Sequence, residues 1–295
     1  MTKPAIAIIG AGKVGSALAT LLDCRGYPIT GIASRTQESA SRLAAQIRGS
    51  IATTSPVEVT PKADFIFLTV PDRFIGPVVA EIAAAGGFRP GQYVFHACGS
   101  MTAEVLSPAK QAGAFTGSLH PLQSFADIET AKTNLPGSYF ALDGDEEANA
   151  AGQELIAALG GHSFFVPAKD RSLYHAAACV ASNYLVSLAY CAAKMYETFG
   201  LSSTEALRAL APLIHGTLTN LQKVGLPDAL TGPISRGDIP TIEGHTKALA
   251  GFKSGEAELY RILGLYTLQI AQEKASITKA QAFDLSIILE KGRDL

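Results

Sequence analysis

Three glycines, Gly10, Gly12 and Gly15, punctuate the segment AIAIIG-AGKVG-SALATLL at the spacing GxGxxG. They follow an apolar run and precede a helical one, the context that this spacing needs to hold a dinucleotide. The first glycine permits a tight turn, and the second lets backbone N–H groups approach a pyrophosphate. The third allows close packing of helix on sheet. Lys13 and Val14 lie inside the loop, at a helix start whose partial positive charge faces the phosphates. The competing account is an ordinary glycine-rich turn.

About 20 positions beyond the loop an NAD site carries an acidic residue for the ribose 2′-hydroxyl. Here the chain reads GIASRTQES, with Ser34, Arg35 and Thr36 and no carboxylate before Glu38. A guanidinium pairs with a 2′-phosphate and the hydroxyls add hydrogen bonds, so NADP is expected rather than NAD. The alternative is a solvated arginine at a helix start.

Ligands of an open α/β sheet sit outside the C-terminal ends of its strands. Those ends read Thr69-Val70-Pro71-Asp72, His96-Ala97-Cys98-Gly99-Ser100 and Ser118-Leu119-His120-Pro121. Val70, Pro71, His96 and Ser100 are assigned to the cofactor, and His120 to proton transfer, since imidazole titrates near neutrality. Further on, His175, Cys179 and Asn183 recur at i, i+4, i+8 and share one helix face. A buried His and Asn need partners, which a substrate or a neighbouring helix would supply. In TGPISRGD, Arg236 is either a carboxylate clamp or half of a surface pair with Asp238. Lys169 and Arg171 read as capping or solvated, and His162 and His215 as structural.

The elements that must position these groups alternate in the first half. Strands are expected at Ala5–Ile9, Ile29–Ala33, Asp64–Val70, Gln92–His96, Ala114–Leu119, Tyr139–Leu142 and His162–Phe165, with helices such as Ser16–Cys24 and Glu38–Gln46 between the early ones. That pattern gives an α/β fold, a Rossmann-type doubly wound parallel sheet covered on both faces. After Pro167 the chain becomes helical, so residues 1–167 form the NADP-binding half and 168–295 an all-helical half for substrate and dimerisation. One long helix is expected over Asp170–Phe199. A capping box at Ser202 and Glu205 starts another. LPDALTGPISRGDIP interrupts, and Glu256–Lys274 and Thr278–Lys291 follow, the latter stopped by Gly292.

Of the 295 residues, 47% are hydrophobic and 17% charged, which excludes disorder. A formal charge of −2 argues against nucleic acid as a partner, because phosphate neutralisation needs a basic surface. The start, MTKPAIAIIG, lacks the parts of a signal peptide. Tyr174–Ala193 is nearly long enough to span a bilayer. His175, Ser182, Asn183 and Ser187 make it read as a core helix, with no membrane partner. The four cysteines lack ligand spacing, so no metal is expected and the thiols are read as reduced in a cytoplasmic protein.

The chain resembles the 6-phosphogluconate-dehydrogenase-like superfamily, with its pyrroline-5-carboxylate, ketopantoate and prephenate oxidoreductases. More narrowly it is similar to oxidoreductases that pair a Rossmann-like domain with a C-terminal domain of unknown function. GAGKVG, SRT, TVPD, HACGS, SLHPLQSF, YHAAACVASNYL and TGPISRGD carry the resemblance over nearly the whole chain. It implies a homodimer built through the helical half, and makes ketopantoate a candidate substrate. Many relatives place a general-acid lysine one turn before an asparagine. Here that position is Cys179, so a lysine mechanism does not carry over to Asn183. His120-Pro121 is similar to a substrate-contacting histidine of prephenate dehydrogenases. The expected activity is NADPH-dependent reduction of a small carbonyl or imine carboxylate. His120 or His175 is then the proton donor, Asn183 the orienting group and Arg236 the clamp. An NADP(H)-binding sensor without chemistry and a prephenate-like NADP-linked dehydrogenase are the alternatives.

Overall fold

Along the first strand, Ile6-Ala7-Ile8-Ile9, successive side chains enter opposite layers, and all four are buried. Ile6 and Ile8 join a core with Leu18, Leu22, Phe67 and Phe95, whereas Ala7 and Ile9 join one with Ile66, Val79 and Leu106. A strand apolar on both faces must be covered on both, as parallel sheets are. The computed structural model describes residues 3–252 and 255–290.

In chain order the sheet unit contains β1 (Ile6–Ile9), α1 (Lys13–Cys24), β2 (Ile29–Ala33), α2 (Gln37–Ala44), β3 (Ile51–Thr53) and β4 (Phe65–Leu68). Next come α3 (Ile75–Ala84), β5 (Tyr93–His96), α4 (Ser107–Gln111), β6 (Phe115–Pro121), α5 (Ile128–Asn134), β7 (Tyr139–Gly144), α6 (Glu146–Leu159) and β8 (His162–Phe165). The strand order is β3-β2-β1-β4-β5-β6-β7-β8. Chain order therefore reverses between β1 and β4, the switch point at which dinucleotide-binding sheets hold their ligand. Six strands run parallel, but β7 pairs antiparallel with β6 and β8 follows β7. A buried apolar run looks the same in either direction, so sequence pattern does not report this reversal. The three-residue β3 is too short to leave a pattern, and it was not among the expected strands.

The chain divides into two compact units between Tyr184 and Leu185. The long helix expected over Asp170–Phe199 is two helices, α7 (Arg171–Ala181) and α8 (Asn183–Glu197). The backbone departs from helix at Ser182, with φ −115° and ψ −67°, although no proline or glycine marks the place. Nor is the segment a core helix of this chain. Leu173 is 72% and Val186 70% exposed, and residues 168–197 are long and apolar enough to cross a membrane by length and composition. An apolar helix signals burial without saying what covers it.

In the second unit, α9 (Ser203–Val224) starts with the expected capping box, in which Ser202 accepts from Glu205 N–H and Glu205 accepts from Ser202 N–H. The breaker-rich stretch leads into α10 (Ile239–Leu249), then α11 (Glu256–Glu273) and α12 (Lys279–Glu290). Ile234, Ile242, Leu268, Leu285 and Leu289 form the core of this unit. The expected helix end at Lys291 and its stop at Gly292 lie outside the described residues.

Candidate functional site

The glycine loop lines a cleft of about 740 Å³ at the switch point of the sheet. Each glycine has its own reason. Gly10 has φ +115°, and a Cβ there would fall 2.7 Å from the backbone of Thr69. A Cβ on Gly15 would fall 2.0 Å from the Gly10 carbonyl oxygen and 2.4 Å from Thr69 Oγ1. Around Gly12, by contrast, no atom beyond its immediate chain neighbours lies within 4 Å of the Cβ position, so it faces open space. Gly12 is also the N-cap of α1, and no side chain caps that helix. The amides of its first turn are left for a ligand, and the helix end favours an anion.

Lys13, Val14, Ser34, Arg35, Thr36, Val70 and Pro71 all line the same cleft, together with apolar Pro56, Phe74 and Val78. Among the described residues nothing pairs with the exposed Arg35 guanidinium. Thr36 has a structural duty as well, since its hydroxyl caps α2 by accepting from Ser39 N–H. An uncapped helix start, a glycine opening and an unengaged guanidinium past β2 fit a dinucleotide with a 2′-phosphate.

His96 and Ser100, also assigned to the cofactor, do not line the cleft. His96 is 0% exposed and both ring nitrogens are engaged. Its Nε2 donates to Thr102 O at 3.1 Å, and Nδ1 accepts from Cys98 N–H at 3.2 Å. Burial pushes this imidazole down to about 4, so it is a neutral brace of the loop after β5. Strand-end position brought it near the crevice, but the pleat turned its ring inward. Ser100 Oγ lies 3.4 Å from Cys98 Sγ.

A second group gathers on β6 and α7. His120 Nδ1 is 2.7 Å from the Tyr174 hydroxyl, and its ring meets that of His175 edge to face with centroids 6.1 Å apart. Burial chiefly, helped by the Arg171 charge and His175, pushes His120 down to about 4. Burial pushes the Tyr174 phenol up to about 12, with Arg171 opposing. Arg171 is 1% exposed, and its Nη2 donates to Cys98 O at 3.0 Å and to Ser118 Oγ at 2.6 Å. Its Nε and Nη1 are buried without a partner among the described residues. Burial lowers its pKa, with Asp143 countering. An incompletely satisfied buried cation costs stability and marks a place where charge has a task.

Neither Arg171 nor Tyr174 was singled out for chemistry from sequence. The available signal was spacing: 171, 174 and 175 are i, i+3 and i+4, one face of α7. His175 Nδ1 is 4.0 Å from Cys179 Sγ, so the first two members of the His175–Cys179–Asn183 series do meet. Asn183 opens α8 beyond the break at Ser182 and is exposed, so the burial argument for it lapses. Arg236 is exposed at the end of the turn Ile234–Arg236, in the second unit. Asp238 is an N-cap that accepts from Thr241 N–H, and no Arg236–Asp238 ion pair occurs among the described residues. No cluster of three metal-ligating side chains occurs among them either.

Comparison with known proteins gives two domain matches. Residues 2–121 match the Rossmann-like domain, and residues 138–267 match a domain of unknown function, DUF2520. A Thermotoga maritima protein of no stated activity has a similar structure, at 27% identity and TM-score 0.73, over 92% of this chain and 99% of its own. A Bacteroides fragilis protein named as an NADP oxidoreductase matches at 24% identity and TM-score 0.73, with the same coverage. An imine reductase from Aspergillus terreus, solved in complex with NADPH4, matches at 18% identity and TM-score 0.61, over 96% of this chain and 99% of its own. Among curated proteins no sequence matches. These neighbours share the expected fold, a Rossmann-like sheet followed by a helical part.

Proposed function

From a chain that joins a Rossmann-like domain to a DUF2520 domain, we propose an NADP(H)-dependent oxidoreductase that reduces a small carbonyl or imine compound bearing a carboxylate. The observation that carries this reading is the cleft in which the uncapped start of α1, open space at Gly12 and the Arg35 guanidinium face one cavity. When bound there, the nicotinamide supplies a hydride. The chain's own part is to hold the diphosphate on α1, the 2′-phosphate on Arg35, and a neutral imidazole, His120, at the end of β6. Neighbours named as an NADP oxidoreductase and as imine reductases support the reaction class.

Ketopantoate and cyclic imino acids are the substrate candidates, with His175 beside the donor. The protein is read as a cytoplasmic homodimer acting on small molecules. The test is fluorescence titration with NADPH and NADH, followed by loss of NADPH absorbance against a panel of 2-keto acids and cyclic imines. Submicromolar NADPH binding with turnover of one panel member supports the proposal. Absence of binding to either nucleotide overturns it, and tight binding without turnover points to a sensor instead.

A further inference from the structure

Three residues with no part in the cofactor cleft, Gly99, Arg171 and Tyr174, converge on the ring of His120. We propose that Tyr174 donates a hydrogen bond to His120 Nδ1 and so fixes the imidazole as its Nε2–H tautomer. Nε2 then carries the ring proton, on the edge of the imidazole that packs against Gly99, and Tyr174 and Arg171 are the positioning residues of the ring. That this proton goes to a substrate rests on the oxidoreductase reading, but the tautomer itself does not.

The 2.7 Å separation leaves room for one hydrogen between Tyr174 Oη and His120 Nδ1. At neutral pH both groups are uncharged, since burial holds the phenol near 12 and the imidazole near 4. A neutral imidazole has one N–H and one lone pair, and a phenol is a far better donor than acceptor. The shared hydrogen therefore belongs to the phenol, the lone pair to Nδ1, and the ring proton to Nε2.

Gly99 packs against the Nε2–Cε1 edge of the His120 ring. A Cβ at this position would lie 2.8 Å from His120 Nε2 and 2.6 Å from His175 Cδ2. The backbone there does not require glycine, since Gly99 is absent from the positive-φ residues. Space is what requires it: a Cβ would collide with both the His120 and the His175 ring.

Arg171 ties the parts together. Its Nη2 holds the carbonyl of Cys98, next to Gly99, and the hydroxyl of Ser118, two residues before His120. Its guanidinium lies 5.4 Å from the centre of the Tyr174 ring. The charged and titratable groups acting on His120 are Arg171, His175 and His96, which disfavour imidazolium, and Asp72, which favours it. Tyr174 completes the surroundings.

The proton balance closes without any change of oxidation state. As the Nε2–H bond breaks toward a substrate oxygen or nitrogen, Nδ1 takes the phenolic proton, and the imidazole stays neutral throughout. The phenolate left on Tyr174 sits beside the Arg171 cation and regains its proton from water.

The experiment is long-range proton–nitrogen correlation on protein with nitrogen-15 histidine, with His120 assigned by its loss in His120→Gln. The expected spectrum at pH 7 shows Nε2 protonated and Nδ1 bare, unchanged on acidification until about pH 4. Tyr174→Phe is expected to lose this single-tautomer signature, and Arg171→Gln to raise the pH at which His120 charges. Arg171→Lys, which keeps the charge, is expected to show only part of that rise. A proton on Nδ1 in the unaltered protein, or an unchanged tautomer in Tyr174→Phe, overturns the proposal. NADPH titration of the same samples keeps the two readings apart. Failure of the unaltered protein to bind sinks the cofactor assignment and leaves the tautomer result standing.

Discussion

The hydroxyl of Thr69, just past β4, donates to the carbonyl of Gly10, just past β1, at 2.7 Å. This bond spans the switch point and fixes the loop against which Gly15 packs. The same geometry separates two glycines of one motif. Gly15→Ala drives a methyl into backbone and is expected to destabilise the protein by about 1–3 kcal/mol, as overpacking does. Gly12→Ala places its methyl in open space, so urea denaturation is expected to match the unaltered protein. Its NADPH affinity is nevertheless expected to fall about tenfold or more, about 1.4 kcal/mol, because the methyl occupies the approach of the diphosphate. Equal affinity in Gly12→Ala would remove the diphosphate from this helix start.

Arg35 tests the choice of nucleotide. A charge-assisted hydrogen bond is worth about 1.5–3 kcal/mol, so Arg35→Ala is expected to weaken NADPH binding by about 10- to 100-fold. NADH, which lacks the 2′-phosphate, is expected to bind both proteins within about twofold. Raising the salt concentration is expected to weaken NADPH more than NADH in the unaltered protein, since the contact is exposed and screened. Parallel loss for both nucleotides would mean that Arg35 does not read the phosphate.

The two buried imidazoles set a pH dependence of stability. His96 and His120 titrate near 6.5 when unfolded and near 4 when folded, both held down mainly by burial. Between those values the unfolded chain binds more protons, so the free energy of unfolding rises with pH from about 4 to 6.5 and then levels off. Below about 4 both states are protonated and this contribution is flat again. Urea midpoints at pH 5.0, 5.75 and 6.5 are expected to climb, in a range where ordinary carboxylates are already largely ionised. His120→Gln is expected to reduce the climb. A flat profile would mean that the rings are not buried neutral.

The legible part of the site was the part encoded locally. GxGxxG and Ser34-Arg35-Thr36 act through their own loops, so spacing placed nearly all of them on one cleft. The β6 end likewise placed His120. The residues that went unread act across long separations: Tyr174 meets His120 from 54 residues away, and Arg171 meets Cys98 from 73. Nothing near Arg171 in sequence announces that its charge is buried rather than solvated. His96 shows the converse, since its strand-end position was right while the pleat turned its ring into the loop behind it. The break at Ser182 left only a weak signal, since Ser182 and Asn183 favour caps over helix interiors but no proline or glycine stands there.

Exposed apolar side chains on α7 and on α8 carry the last prediction. Leu173, Val186 and Tyr190 are 72%, 70% and 63% exposed, more apolar surface than an isolated soluble chain normally leaves to water. His175, Ser182, Asn183 and Ser187 punctuate the same stretch, and their desolvation opposes insertion in lipid. A second copy of the chain satisfies both constraints, because protein interfaces cover apolar groups while leaving polar ones partners or water. Light scattering coupled to size exclusion is expected to give twice the mass of 30.8 kDa. Val186→Glu with Tyr190→Glu is expected to shift the population to monomers at micromolar concentration, with NADPH affinity unchanged. A monomer in the unaltered protein, or a chain recovered only with membranes, would dismiss the dimer.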